Sequence, residues 1–437
     1  MNNLGLLSGL LVAALADPAV AQQPTRIMTL EEIFTVAESQ SDRLRVSRAA
    51  EHQAALETES ARMMRLLDIS SSLSLSYIAD GFTTARDFSD RQKARIPHLG
   101  DGFGVTVTQP VYAGGAISGS IDMARLRQDA CGLTTANERN LLRMSLTSSY
   151  LELYKCLNQR RVLENNIAAA RRVLADMHAR HDQGTVLMND ITRYELVVSD
   201  LELALTRINN TMRILNHRLV SDAGMPDGTV VSPDTTILAR SLESHNCAWW
   251  QSEAEIYSPR LGLARSEVAV SHKAEQLARA ERLPHVGLKA AWTIDGPILV
   301  EVPPIDRNLS YWYVGVGVTY NISSLYKTRR KVAAVRAATV TSQLRLEDIS
   351  RSLALDVTDS HIRYQEAVDV LASRYKAVEL AERNYSVVAT RYGAGMALVT
   401  DLLDAANSRL DAERQLVNAR VDIIQRYYQL LFISGKL

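Results

Sequence analysis

Apolar residues follow two different periodicities along the chain, and each periodicity occupies its own segments. In four short segments, apolar side chains alternate with Ser, Thr, Gly or Lys, which is the period of a strand with two unlike faces. Over much longer segments, apolar residues return at every seventh position, which is typical of helices packed as coiled coils. The pattern therefore predicts a mainly helical protein that carries four strands.

The four predicted strands form two pairs, at about 70–80 and 102–112 and at about 285–296 and 311–322. Their apolar positions are Leu73, Leu75, Tyr77, Val105, Val107, Val286, Leu288, Trp292, Ile294, Trp312, Val314, Val316, Val318 and Tyr320. Polar or small residues lie between these, as at Ser72, Ser74, Ser76, Thr106, Thr108, Lys289, Thr293 and Thr319. Each strand is about 10 residues long, which is enough to cross an outer membrane when tilted. An interfacial aromatic girdle is predicted at Trp292, Trp312, Tyr313 and Tyr320.

A soluble β-sandwich with one wet face has the same alternation, so alternation alone does not decide between the two architectures. Four strands are too few for a free-standing sandwich of this size, and the flanking helices are too long to cover them. Four strands also cannot enclose a channel, since about 8 are needed merely to fill a barrel with side chains. A membrane barrel would therefore require several chains.

Seven-residue rows run along the predicted helices of both halves. In the first half, the rows are Ile191, Val198, Leu205, Met212, Leu219 and, offset by three, Tyr194, Leu201, Ile208, Leu215. In the second half, they are Leu403, Leu410, Val417, Ile424, Leu431 and the small residues Ala405, Ala412, Ala419. Rows on two faces predict helices with neighbours on both sides, as in a ring of helices.

Helix starts and breaks are also visible in the sequence. Proline is absent from Ile117 to Gln183, so this segment predicts a single helix on the order of 100 Å long. A helix is predicted from Thr29 to about Leu67, because Thr29 and Glu32 have the spacing of a capping box. Its counterpart runs from about Cys247 to Arg282, and Gly184 and Gly393 to Gly395 mark the breaks between long helices.

The chain contains two copies of one unit. Arg180 to Leu205 resembles Arg391 to Leu416 without gaps, at a shift of 211 residues. At the same shift, Gly104 to Thr108 aligns with Gly315 to Thr319. The predicted divisions are a signal peptide at 1–21 that ends in Ala19-Val20-Ala21, a first repeat at 22–220, a linker at 221–243 and a second repeat at 244–437.

Charge and residue chemistry exclude several classes of function. Lys plus Arg and Asp plus Glu each number 49, so no net field attracts nucleic acid. The three cysteines are far apart and predict neither a disulfide framework nor a metal site. An enzyme could use His178 and His181 as metal ligands, or Asp401 and Asp404 as an acid–base pair. No nucleophile, phosphate loop or third ligand accompanies them, so we predict no catalytic site, no cofactor and no metal.

Two motifs carry a resemblance to a known family. They are Gln109-Pro110-Val111-Tyr112-Ala113-Gly114-Gly115, at a strand-to-helix corner, and Tyr392-Gly393-Ala394-Gly395 followed by Asp401-Leu402-Leu403-Asp404-Ala405. In the duplicated frame of helix, two strands and long helices, they resemble the TolC family of outer-membrane factors. The resemblance covers roughly Met28 to Leu437.

The resemblance implies a homotrimer in the outer membrane of a Gram-negative bacterium. Its fold would be a 12-strand β-barrel in outer-membrane lipid, continuous with a long α-helical coiled-coil tunnel in the periplasm. Its partners would be a periplasmic adaptor (membrane fusion) protein and an inner-membrane pump, either ABC or proton-driven. The function would be that of a passive channel for drug efflux or type I secretion. A periplasmic coiled-coil scaffold or adaptor without a barrel is the alternative, although it leaves four aromatic-rich strands unexplained.

Site residues follow from the same resemblance. The periplasmic gate would hold Asp401, Asp404, Asn189 and Asp190, with the two aspartates of the second copy on one helix face. An aspartate in the first turn of a helix also stabilises the helix dipole, which is the simpler role for Asp401. Family members often place a basic latch residue where this chain has Ala397, so the candidates for the latch are Arg180, Arg391 and Tyr392. The adaptor would contact Gly184, Thr185, Gly395 and Met396, and the strand-to-helix corner is Gln109, Pro110, Gly114 and Gly115.

Overall fold

The computed structural model describes residues 25–234, 245–301 and 303–437. The predicted signal peptide and residues 235–243 of the predicted linker lie outside this range. The chain divides into two compact units. The first comprises Met1–Asp42, Leu142–Ser244 and Ile362–Gln429, and the second comprises Arg43–Leu141, His245–His361 and Leu430–Leu437.

Helices dominate the described residues, as predicted. In chain order they are α1 (Leu30–Gln40), α2 (Asp42–Met63), α3 (Ala116–Asp182), α4 (Met188–Ala223), α5 (Cys247–Tyr257), α6 (Pro259–Ala280), α7 (Ser324–Gly393) and α8 (Val399–Ile433). The strands are β1 (Thr25–Met28), β2 (Asp68–Tyr77), β3 (Gly81–Thr83), β4 (Gln92–Ala94), β5 (Leu99–Tyr112), β6 (Val230–Pro233), β7 (His285–Gly296) and β8 (Leu309–Thr319). None of the described helices is long and apolar enough to cross a membrane.

The long uninterrupted helix is confirmed, since α3 contains 67 residues and lies where proline is absent. The capping box is confirmed as well. The Glu32 amide donates to Thr29 Oγ1 over 3.2 Å, and the Thr29 amide donates to Glu32 Oε2 over 2.9 Å.

The single helices predicted from Thr29 to Leu67 and from Cys247 to Arg282 are wrong, because each is two helices. The first breaks at Ser41, which is buried in an extended conformation with its amide bonded to Ala37 O. The second breaks at Ser258, which is also extended. Ser258 precedes Pro259, and proline disfavours the helical conformation in the residue before it.

Four strands form one antiparallel sheet in the order β2-β5-β7-β8. The central pair joins the two halves of the sequence, with Val105 opposite Trp292 and Val107 opposite Ala290. Strands β2 and β8 each have a sheet neighbour on one side only among the described residues. The predicted strand bounds differ from the observed ones by at most three residues.

The register gives this sheet two chemically distinct faces. The apolar face carries Leu73, Phe103, Val105, Val107, Leu288, Trp292, Ile294, Trp312, Val314, Val316 and Val318. The polar face carries Ser72, Ser74, Gly102, Gly104, Thr106, Thr108, Lys289, Thr293, Gly315 and Thr319. Tyr313 lies on the polar face, opposite Ala291 and with its ring 5.9 Å from Lys289 Nζ. Its predicted place in an aromatic girdle beside Trp312 is therefore wrong, since neighbouring strand residues point to opposite faces.

Two short strand pairs were not predicted. Strand β1 pairs with β6 in parallel, and β3 pairs with β4 in a small hairpin. Tyr150 stabilises the pairing of β1 with β6. Its hydroxyl donates to Met28 O over 3.0 Å and accepts from the Asp234 amide over 2.9 Å. Burial of this side chain raises the pKa of Tyr150 to about 12.

Candidate functional site

The turns between α3 and α4 and between α7 and α8 have the same backbone geometry. Gly184 and Gly395 adopt left-handed conformations, with φ of 76° and 74°. The Thr185 amide donates to Arg180 O over 3.0 Å, and the Met396 amide donates to Arg391 O over 2.8 Å. Both helices thus end in the glycine-dependent cap that satisfies their last carbonyls. The four residues predicted to contact an adaptor, Gly184, Thr185, Gly395 and Met396, are all exposed in these turns.

An apolar cluster, which we call the tip core, holds the two hairpins together. Its buried members are Ala170, Met177, Ile191, Tyr194, Val198, Val399 and Leu402. Tyr194 is 2% exposed and belongs to the predicted seven-residue rows. Because these residues come from α3, α4 and α8, the hairpin of the first copy packs directly against that of the second.

Arg180 lies beside the tip core and links the two hairpins. Its Nη1 donates to Gly393 O over 3.2 Å, and its Nε lies 2.8 Å from Asp176 Oδ2. Its guanidinium carbon is 5.9 Å from the centre of the Tyr392 ring. Burial raises the pKa of Tyr392, the charge of Arg180 opposes this rise, and Asp190 and Asp176 reinforce it. Two predicted latch candidates, Arg180 and Tyr392, are thus brought together.

Arg391 is the sequence counterpart of Arg180, but its environment differs. Its side chain is exposed, and among the described residues no ion pair or side-chain hydrogen bond involves it. The two copies of the unit are therefore unlike at this position, and only the first copy places its arginine across the junction.

The predicted gate residues stand at the start of α4 and α8. Asp401 and Asp404 are exposed, Asn189 is exposed and Asp190 is half-buried. The Leu398 amide donates to Asp401 Oδ2 over 3.0 Å, so this carboxylate caps the start of α8. This cap uses one oxygen of the Asp401 carboxylate. The Asp404 carboxylate has no hydrogen bond to the described residues.

The predicted strand-to-helix corner is a tight connection between β5 and α3. Gln109 Nε2 donates to Arg65 O over 3.0 Å, and the pairing of β5 with β7 is irregular after Pro110. Gly114 and Gly115 have φ of 61° and 82°. A side chain at Gly114 would place its Cβ 2.7 Å from Leu283 Cβ, so glycine is required there both for its backbone conformation and for space.

The histidines considered as metal ligands have other contacts. His181 Nδ1 lies 2.8 Å from Val186 O, and His178 Nε2 lies 3.8 Å from Glu195 Oε1. Across residues 25–234, 245–301 and 303–437, no three His, Cys, Asp or Glu side chains are grouped to hold a metal ion.

Sequence reasoning missed a row of polar contacts that joins α3 to the second copy. Gln159 Nε2 donates to Asn418 Oδ1 over 2.7 Å, and Asn166 bonds both Arg409 and Glu413. Gln159, Asn166 and Arg180 are separated by seven and fourteen residues, so they lie on one face of α3. A search for polar as well as apolar heptad positions would have found this row.

Comparisons with known proteins agree with this geometry. Residues 250–436 match the family of outer membrane efflux proteins. No curated protein sequence matches the chain. The outer-membrane channel OprN is 16% identical with a TM-score of 0.78, over 93% of this chain and 90% of that one.

Two further solved structures share the fold. The outer membrane protein VceC from Vibrio cholerae is 16% identical with a TM-score of 0.79, over 93% of this chain and 96% of that one. The Campylobacter jejuni CmeC outer membrane channel is 12% identical with a TM-score of 0.75, over 100% of this chain and 94% of that one.

Long helical hairpins and a two-faced sheet are thus the fold that this chain shares with solved outer-membrane channels. Residues 250–436 of the second repeat are the part of the chain that matches the outer membrane efflux protein family. The resemblance to the TolC family of outer-membrane factors agrees with this match and with the shared fold.

Proposed function

We propose that three copies of this chain form a passive export duct of a Gram-negative outer membrane. The duct receives substrates from an inner-membrane pump, ABC or proton-driven, through a periplasmic adaptor. It performs no chemistry of its own. The observation that carries the proposal is the four-stranded sheet, which has an exposed apolar face and two edge strands.

The open edges of the sheet support the trimer. Unpaired edge strands invite pairing with another chain, and proteins normally cover or shorten them. Here β2 has ten residues and β8 has eleven, and neither is covered by a described strand. If β8 of each copy pairs with β2 of the next, three copies give the 12-strand barrel predicted from sequence.

Exposed apolar rows on the helices support the same assembly. Leu196 and Leu203 on α4 are 63% and 49% exposed, and they stand seven residues apart. Leu380 and Val387 on α7 are 51% and 53% exposed, with the same spacing. Rows of this kind pack knobs-into-holes against a neighbouring helix. In a ring of helices, α4 of one copy would pack against α7 of the next.

The alternative of a periplasmic scaffold without a barrel explains the helices but not the sheet. Leu73, Trp312 and Val316 are 81%, 74% and 67% exposed, and continuous apolar surface of this kind marks a binding or membrane face. The two proposals predict different behaviour of the purified protein. A duct needs detergent to stay in solution and forms a pore, whereas a scaffold stays in solution without detergent.

The proposed duct also gives a place to the two predicted repeats and to the predicted adaptor contacts. The repeats at 22–220 and 244–437, with their linker at 221–243, would give each copy two hairpins in the tunnel. The turns at Gly184, Thr185, Gly395 and Met396 would meet the adaptor, because they are the exposed ends of those hairpins.

The latch that holds the tip closed is assigned to Arg180 rather than to Arg391. We expect Arg180→Gln to raise the open fraction of the channel about 10- to 100-fold, since hydrogen bonds to charged groups contribute about 1.5–3 kcal/mol. Single-channel recording in planar bilayers measures the open fraction. Arg391→Gln is the matched control, because it removes the same charge from an exposed side chain without these contacts. Equal effects of the two substitutions would refute the assignment.

A cation-selective constriction is assigned to Asp401 and Asp404 at the start of α8, with Asn189 and Asp190 at the same level in the first copy. Threefold symmetry would gather up to six carboxylates, and their field would attract cations. The double variant Asp401→Asn and Asp404→Asn is expected to lose cation preference and block by multivalent cations. Asparagine keeps an oxygen for the Leu398 amide, so the cap survives.

Asp411→Asn, farther along α8, is the control for the loss of one acidic charge. Reversal potentials in a salt gradient measure the preference. If the double variant kept the selectivity and block of the parent channel, these carboxylates would serve only the helix start.

A further inference from the structure

The antiparallel sheet brings three basic segments to one end of its strands. The start of β2, the start of β7 and the end of β8 lie at this same end of the sheet. Immediately beyond it in the sequence are six arginines and lysines, which we call the basic collar: Arg62, Arg65, Arg282, Lys327, Arg329 and Arg330. All six belong to the second unit of the chain.

None of these six cations is paired with a carboxylate in the part of the chain that the structure describes. Arg282 Nε is buried and has no hydrogen-bond partner among the described residues. The carboxylates in the same three segments are Asp68 and Glu281. Glu281 is already paired with Lys331, and Asp68 stands on the polar face of the sheet opposite Thr108. The collar is therefore a local excess of positive charge in a chain with no net charge.

Large apolar side chains are interleaved with the collar. Those that are exposed are Met63, Met64, Leu66, Leu67, Leu283, Ile322, Leu325 and Tyr326. Basic residues mixed with exposed apolar and aromatic residues next to a membrane segment suit a surface that is apolar on one side and anionic on the other. Arginine also forms paired hydrogen bonds with phosphate oxygens.

We infer that the basic collar binds the phosphodiester headgroups of anionic phospholipids in the periplasmic leaflet of the outer membrane. This inference rests on the proposed function, because it requires the apolar face of the sheet to lie in the membrane. The apolar side chains reach the acyl region while the guanidinium and ammonium groups hold the headgroups. The collar then fixes the depth at which the sheet sits and selects the lipids around it.

The test uses trimer purified in a nonionic detergent and titrated with dioleoyl phosphatidylglycerol or dioleoyl phosphatidylcholine, with bound lipid counted by native mass spectrometry. The anionic lipid is expected to bind about tenfold more tightly than the zwitterionic one. The double variant Arg329→Gln and Arg330→Gln is expected to lose most of this preference. Free glycerol phosphate at the same concentration is not expected to displace the lipid.

The matched control is Arg336→Gln with Arg351→Gln, which removes two exposed arginines from the same helix farther from the sheet. It is expected to keep the preference of the parent protein within about twofold. Equal binding of the two lipids, equal effects of the two double variants, or displacement by glycerol phosphate would each overturn the inference. So would loss of the trimer in the collar variant alone, because the collar would then pair with a neighbouring copy.

The same spectra separate this inference from the function on which it rests. A trimer without lipid preference removes the collar assignment and leaves the duct intact. Absence of a trimer in the parent protein removes both.

Discussion

Arginine at Val107 or Val316 is expected to destabilise the membrane-inserted protein by about 2–4 kcal/mol per site, whereas arginine at Thr106 is expected to be tolerated. Val107 and Val316 lie on the apolar face of the sheet, and Thr106 lies on the polar face next to Val107. A charge on a lipid-facing side chain must lose its water, but a charge in a water-filled lumen keeps it. Unfolding in urea after insertion into phospholipid bilayers measures the cost.

The pair Val107→Arg and Thr106→Arg is the sharpest comparison, because the two positions are adjacent on β5 and therefore lie at nearly the same depth. Gly315→Arg gives a second polar-face control on β8, with Val316→Arg as its apolar neighbour, because both positions lie farther from the end of the strand than Thr319. If arginine cost the same at both positions of each pair, the apolar face would not be in contact with lipid.

The faces of the sheet were predictable because strand periodicity is strict. A side chain two residues along always returns to the same face, so the alternation of Val105 and Val107 with Thr106 assigns these residues to opposite faces whatever the pairing of the strands. The pairing of β5 with β7 was not predictable from the sequence pattern. It depends on contacts across nearly two hundred residues that leave no local signal.

The helix breaks at Ser41 and Ser258 show where local reading was insufficient. Ser258 was predictable, since Pro259 follows it and restricts its backbone. Ser41 is not followed by proline. It is buried, so we attribute the helix break there to packing against the rest of the fold. The strands β1 and β6 have four residues each, too few for a period of two to be read reliably.

The candidate latch shows a further limit of sequence reading. The duplication makes Arg180 and Arg391 equivalent, so the sequence left both open. The structure separates them, because Arg180 is bonded to Gly393 O and close to the Tyr392 ring, whereas the Arg391 side chain is exposed and has no such contact to the described residues. A repeat preserves backbone geometry, as at Gly184 and Gly395, while the side chains that meet across a junction differ between copies.

Assembly of three copies into one pore is the largest effect that the duct predicts, because it is all or none. A single chain exposes the apolar face of the sheet and leaves β2 and β8 with open edges. Closure through neighbouring copies removes both edges at once, so monomers and dimers are expected to be negligible in mild detergent.

The most direct measurement is the mass of the purified protein in mild detergent by light scattering, followed by current recording from the same fraction in a planar bilayer. The duct predicts a mass of three chains after subtraction of bound detergent, together with discrete, long-lived conductance steps. A monomer that stays soluble without detergent and produces no current would contradict it.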